Sequence, residues 1–322
     1  MAHWLVLAVL CDGNVWTRRS SASVGSNILL ISASGRVGST ALLQRFARNH
    51  DAPAGTSFSV IREPLSRLPS MPASLPLIER LKQRLRLADD KSTVMHFKFD
   101  HLPTDVKLKE LLETLRDEFQ FGRWILLQRN PIRVDISTQA ARKYGWMRSV
   151  REHCEAKHSY RVSAAAVMRR ACGHHLLWRV VHRVENVSVI GLNYESDMAA
   201  GCHQAYSSVA AFFGFQGFTG GNTRHANSAP CPLSSTIHGG ISSLRADLIP
   251  SLQFMAGEDT ERVDYRTFTQ KMSEGCLDLE VSEAASGAGL AAELAKGNYT
   301  VVAMWIAVAT MAVLWVPGRL RP

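Results

Sequence analysis

The stretch NILLISASGRVGSTALLQRF (27–46) decides how the chain is read. Residues 28–31 are consecutive apolar residues, the pattern of a strand covered on both faces. A turn of small residues follows. From Ser39 onward apolar side chains recur at helical spacing, in Leu42, Leu43 and Phe46. A strand, a glycine-bearing turn and a helix start together form an anion cradle. The first N–H groups of a helix lack an intrahelical acceptor, and its dipole is positive at that end. Gly35 and Gly38 permit close backbone approach on either side of Arg36 and Val37. Ser39 and Thr40 add hydroxyls, and Arg36 adds a guanidinium fork suited to phosphate or sulfate oxygens. The nucleotide-hydrolysing form of such a loop reads GxxxxGK[ST]. Here Gly38, not lysine, precedes Ser39, and the later strand ends WILLQRN and SVIGLNYE lack the Asp that holds magnesium. The loop is therefore expected to hold an anion without positioning magnesium and a γ-phosphate.

The rest of the body alternates. Strands are expected at 58–61, 94–99, 124–127 and 187–192. Helices are expected at 39–49, 77–87, 106–119, from Pro131, at 160–185 and at 203–213. Alternation of this kind predicts an α/β fold: a parallel central sheet with helices on both faces and ligands beyond the carboxyl ends of the strands. The chain has 322 residues, 46% hydrophobic and 20% charged, enough for a sizeable core. Its 37 Lys and Arg against 28 Asp and Glu give a formal charge of +9, which points to an anionic partner. Aromatics are 8% with no interleaved basic-aromatic patch, so a small polyanion is favoured over nucleic acid. The six cysteines form no CxxC pair, which argues against zinc. They read as buried small hydrophobes, with one or two disulfides only if the body is lumenal or secreted. His174 and His175 read as packed or capping residues, not metal ligands.

The segment RVGSTALL (36–43) resembles the donor loop of the sulfotransferase superfamily, which uses 3′-phosphoadenosine 5′-phosphosulfate (PAPS). The resemblance implies that Gly35, Arg36, Val37, Gly38, Ser39 and Thr40 hold the 5′-phosphosulfate and that Arg36 assists sulfuryl transfer. LLQRNPIRVDIS (126–137) is similar to the family's 3′-phosphate element, a strand-end Arg with a Ser eight residues later on the next helix. These are Arg129, which leaves the strand tip toward the ligand, and Ser137, on a helix started at Pro131. Weaker echoes are VIREP (60–64), the pair Tyr194-Glu195 and the helix SSVAAFFGF (207–215). Arg224, in NTRHANS, stands where the family places a late basic loop at the 3′-phosphate, although its usual RKG is missing. The resemblance covers about 26–218, is closer to carbohydrate-type than to cytosolic members, and implies no metal cofactor.

Transfer to a hydroxyl or amine needs a base for the acceptor proton and cations for the leaving phosphate. The resemblance offers two bases. Glu63, in REP, stands where carbohydrate-type members place a carboxylate. His101, in KFDHLP, is similar to the base of the cytosolic members, with one residue inserted after Lys98. Glu63 is the favoured of the two. Lys98 is a second cation for the sulfuryl group, unless Asp100 pairs with it. Arg133, Arg142 and Lys143 add positive charge around the donor helix. The expected acceptor is a carbohydrate hydroxyl, recognised by loops at 64–90 and 145–161. Two rivals remain: another P-loop enzyme of kinase type, and a non-catalytic membrane-anchored protein that binds nucleotide or anionic glycan.

The ends read as follows. Residues 1–25 are an N-terminal segment whose apolar part, 4–11, is either a short signal core or an added edge strand. The sulfotransferase domain is expected over 26–280 and a small-residue linker over 281–298. The uncharged run 299–316 spans roughly 27 Å as a helix, the length of a bilayer core, with a buried core helix as the other reading. Arg319 and Arg321 follow it, which would put the tail in the cytosol and the body in a Golgi-type lumen. Asn186 and Asn298 carry glycosylation sequons, the first beside a core strand.

Overall fold

The computed structural model describes residues 16–20, 26–48, 58–64, 78–79, 81, 92–102, 107–144, 159–198, 204–215 and 233–257. In chain order these hold β1 (Trp16–Arg18), β2 (Ile28–Ser32), α1 (Ser39–Arg48), β3 (Phe58–Ile61), β4 (Ser92–Lys98), α2 (Leu108–Asp117), β5 (Arg123–Gln128), α3 (Pro131–Tyr144), α4 (Ala164–Arg183), β6 (Ser188–Asn193), α5 (Gln204–Phe213), α6 (Leu233–Thr236), α7 (Gly240–Asp247) and α8 (Pro250–Gln253). The strands form one sheet in the order β1-β6-β5-β2-β4-β3. All neighbours are parallel except β1, which pairs antiparallel with β6.

The central strands are apolar throughout because both sheet faces are covered. Leu29 and Ile31 face a core completed by Leu111, Leu112 and Leu115 of α2 and by Leu177 and Val181 of α4. Ile28 and Leu30 face the opposite core, with Leu42 and Phe46 of α1 and Val209 of α5. Each such side chain removed from water contributes about 1.5–3 kcal/mol. A third cluster joins Ile132 of α3, Val167 and Ala171 of α4, and Ile241, Leu244 and Leu252 of the C-terminal helices.

Register brings the strand ends level. Ser32 pairs with Lys98 on one side and Leu127 on the other, and Gln128 pairs with Asn193. The segments that leave this carboxyl edge therefore converge. Asn130 starts α3 there: its side-chain oxygen accepts the Ile132 N–H at 2.9 Å, with Pro131 at the first helical position. Since α4 leads into the amino end of β6, its first half lies at the carboxyl edge.

Several expectations change. The sheet begins at Trp16, inside the segment set apart as 1–25. The strand is held by Arg18, which donates to the carbonyls of Val181, His182 and Val184 at the end of α4 (2.8–3.1 Å). Its Trp16 ring packs on His182 at 4.2 Å. The helix expected from 160 starts at Ala164, because Ser163 caps it by accepting the Ala166 N–H. Tyr160 instead exchanges backbone hydrogen bonds with Thr236 and His238. Asn186 is exposed, in a left-handed turn (φ 54°) just before β6. Residues 4–11, most of 77–87, the linker and the run 299–316 lie outside the described residues. Among the described residues no helix is long and apolar enough to cross a membrane.

Candidate functional site

At the carboxyl edge a cavity of about 920 Å³ is bounded by the loop after β2, the end of β4 and the turn that follows it, Glu63 just after β3, and the helices α3 and α4. Its wall carries Gly35, Arg36, Ser39, Thr40, Glu63, Lys98 and His101, all singled out from sequence. The loop turns sharply into α1. Arg36 (φ 65°) and Gly38 (φ 85°) both occupy the left-handed region. At Gly38 a Cβ would lie 2.6 Å from the Tyr194 ring, so no side chain fits. Val37 is different: its side chain is fully buried with Leu42 and Phe46, which leaves only its backbone for a ligand.

The two halves of the pattern meet. The Arg36 Nε donates to Ser137 Oγ at 3.0 Å, across 101 residues of chain. Across the loop, Lys98 Nζ stands 2.6 Å from Glu63 Oε1. A Cβ on Gly35 would meet that ammonium at 3.5 Å, an ordinary contact, so Lys98 lies beside the loop without requiring glycine there. Glu63 also has positive φ (44°), an arrangement that costs a non-glycine residue of order 1–3 kcal/mol. Lys98 therefore pairs with Glu63, not with Asp100. Asp100 faces His101 instead (3.9 Å), and burial pushes its carboxyl above the usual range. His101 has its Nδ1 buried without a hydrogen-bond partner.

Arg129 is where the structure departs most from expectation. It stands at the tip of β5, but its guanidinium is 6% exposed, is absent from the cavity wall and is turned beneath the loop. Its Nε meets the fully buried Glu195 carboxylate at 3.2 Å, and a terminal nitrogen donates to the Arg36 carbonyl at 2.8 Å. The guanidinium also lies 4.2 Å from the centre of the Tyr194 ring, the same ring that excludes a Cβ at Gly38. Glu195 is further bound by the Asn130 N–H at 3.2 Å. Burial pushes the Glu195 carboxyl up, while Arg129 and the Asn130 N–H pull it down. Thus Arg129, Tyr194 and Glu195 make a platform that fixes the loop. Ser137 likewise sits off the wall and bonds Arg36. Burial, and then repulsion from Arg129, hold the Arg36 guanidinium below its ordinary value. Arg224 lies outside the described residues.

His96 was not legible as a site residue. It sits mid-strand in β4, with one ring nitrogen 3.1 Å from Ser32 Oγ and the other 3.7 Å from Glu63 Oε1. Burial, with Lys98 and His101, pushes it down to about 3, so it is neutral. A polar residue inside the apolar run TVMHF is the only signal that could have flagged it. Asp135, Arg169 and Arg170 also line the wall, and no sequence motif singles them out. His174 is fully buried in α4 and pushed down to about 4, as a packed histidine would be. Among the described residues no three His, Cys, Asp or Glu converge as a metal site would require. Cys172, buried in α4, is disulfide-bonded.

No protein-family model matches the chain, and no curated protein matches it.

Proposed function

We propose that the chain is a sulfotransferase of the P-loop type, which moves a sulfuryl group from PAPS to a hydroxyl of a glycan acceptor. The observation that carries this reading is the Arg36–Ser137 contact at 3.0 Å. Two sequence elements matched to one donor meet there: Arg36 lies on a cavity wall that also carries a carboxylate, an ammonium and an imidazole, and Ser137 bonds it from behind that wall. The residues fit an anionic donor. The loop opens a helix whose first N–H groups face the strand ends. Ser39 and Thr40 line the cavity with no side-chain hydrogen bond among the described residues. Arg36 lies near a second guanidinium, and an anion at the loop would relieve that repulsion.

PAPS supplies the sulfuryl group. The acceptor hydroxyl oxygen forms the new S–O bond, the bond from sulfur to the 5′-phosphate breaks, and the acceptor proton passes to Glu63 Oε. Arg36 and Lys98 face the charge left on the phosphate. Lys98 must then exchange its 2.6 Å contact with Glu63 for that phosphate, which frees the carboxylate as the base is needed. Arg129 acts through the Arg36 carbonyl, by holding the loop. The disulfide at Cys172 supports an oxidising compartment, in line with a lumenal body and a membrane-anchoring tail.

The test is transfer of labelled sulfate from PAPS across glycan, lipid, phenol and peptide acceptors, alongside calorimetry with 3′-phosphoadenosine 5′-phosphate (PAP). Micromolar PAP binding with label on a glycan is expected. Preference for ATP over PAP, or no labelled product with any acceptor, would overturn the reading.

A further inference from the structure

Two helices give the cavity a second wall, and the charges on it are not used by the donor loop. From α3 it takes Asp135, Thr138 and Arg142, and from α4 Ala166, Arg169, Arg170 and Gly173. The spacings, three and four residues apart, put each set on one helical face. Arg170 is neutralised by Asp135 at 2.8 Å. Arg142 and Arg169 are exposed, and neither has a hydrogen bond or ion pair among the described residues. On the remaining wall Lys98 is matched by Glu63. Two guanidiniums on adjacent helices therefore face a cavity that already has its donor cations elsewhere.

We propose that Arg142 and Arg169 recognise fixed negative charge on the acceptor, so that the acceptor is an anionic glycan bearing carboxylate or sulfate-ester groups. The inference rests on the sulfotransferase reading for the word acceptor alone; the arginine wall itself is read by direct binding. Guanidinium forks match both oxyanions, so the shared chemistry is a planar or tetrahedral oxyanion on a sugar. A neutral sugar would leave both cations without a counter-charge. Acceptor binding should weaken with salt, because the arginines are exposed and screened.

The experiment is fluorescence anisotropy with labelled hexasaccharides and no donor present. Three probes separate the sources: hyaluronan (carboxylate only), heparin-derived (sulfate and carboxylate) and dextran-derived (neutral). The full chain is expected to bind one or both charged probes at least tenfold more tightly than the neutral one. In R142Q/R169Q that affinity should fall by roughly tenfold, the scale of two exposed ion pairs. The single reversal R142E, at an exposed position that the fold does not use, should weaken charged probes and not the neutral one. Equal binding of charged and neutral probes, or unchanged affinity in R142Q/R169Q, overturns the proposal. PAP calorimetry on the same preparations reports on the donor reading separately, so the two failures are distinguishable.

Discussion

Replacing Arg129 by alanine should damage the fold before it damages any ligand contact. The guanidinium is 6% exposed and its partner Glu195 has a fully buried side chain. Removal strands a carboxylate left with the Asn130 N–H at 3.2 Å, a further backbone N–H and the more distant Arg133 charge. Breaking one side of such a pair costs about 3–5 kcal/mol. The hydrogen bond to the Arg36 carbonyl and the contact with Tyr194 are lost with it, in the same few ångströms, so their contributions overlap instead of adding. A loss near 4 kcal/mol is a large part of an ordinary domain's stability. Urea denaturation at pH 7 measures it. R129A/E195Q should recover about 2 kcal/mol, because glutamine removes the stranded charge. The pH dependence gives a further check. Burial raises the folded-state Glu195 carboxyl, and loss of Arg129 raises it further. A raised acid is fully tolerated below its unfolded value and destabilises as pH climbs toward the folded one. The deficit of R129A against the parent should therefore be smallest near pH 4.5 and widen toward pH 7. A loss below about 1 kcal/mol, or one that E195Q does not relieve, would refute the buried-pair argument. PAP affinity is then best measured in R129A/E195Q, where a folded protein lacks only the clamp on Arg36.

Gly38→Ala should cost more than about 2 kcal/mol, since its φ of 85° is strained for alanine and the new Cβ meets the Tyr194 ring at 2.6 Å; a thermal melt unchanged within error would contradict this. Glu63→Gln and His101→Ala, assayed together for sulfuryl transfer, should separate the bases: loss of about 100-fold or more is expected in E63Q and under tenfold in H101A. The reverse order would move the role to His101, and full activity in both would remove it from each. Acid should destabilise the protein between about pH 6.5 and 4. His174 is held down to about 4 by burial, so the unfolded chain takes up its proton first and stability is lost as pH falls. At about 1.4 kcal/mol per unit this single residue is worth about 3 kcal/mol near pH 4, and His174→Leu should flatten the acid limb of a urea-midpoint titration.

Sequence reading located nearly every element of the sheet, because apolar periodicity is a local record of which faces are covered. The segments 28–31, 58–61 and 124–127 each lie within an observed strand, or match one outright. It missed β1, since Trp16–Arg18 is too short to show periodicity and is held by carbonyls of α4 some 164 residues away. It placed the start of α4 four residues early, because Tyr160 is drawn off by pairing with Thr236 and His238.

By itself the sequence determined the parallel α/β arrangement, the glycine-bearing turn at a strand end, and the residue types gathered there. Those follow from spacing along the chain: two glycines around Arg36, hydroxyls at the helix start, an Arg and a Ser eight residues apart. Tertiary structure alone decided which way those side chains point. Arg129 turns under the loop because Glu195, 66 residues later, offers a buried carboxylate at 3.2 Å. Lys98 turns to Glu63 because β3 and β4 are neighbours in register. Arg142 and Arg169 become one wall only because α3 and α4 pack side by side. Charges act over a few ångströms, and folding sets those distances between residues that the chain itself keeps far apart.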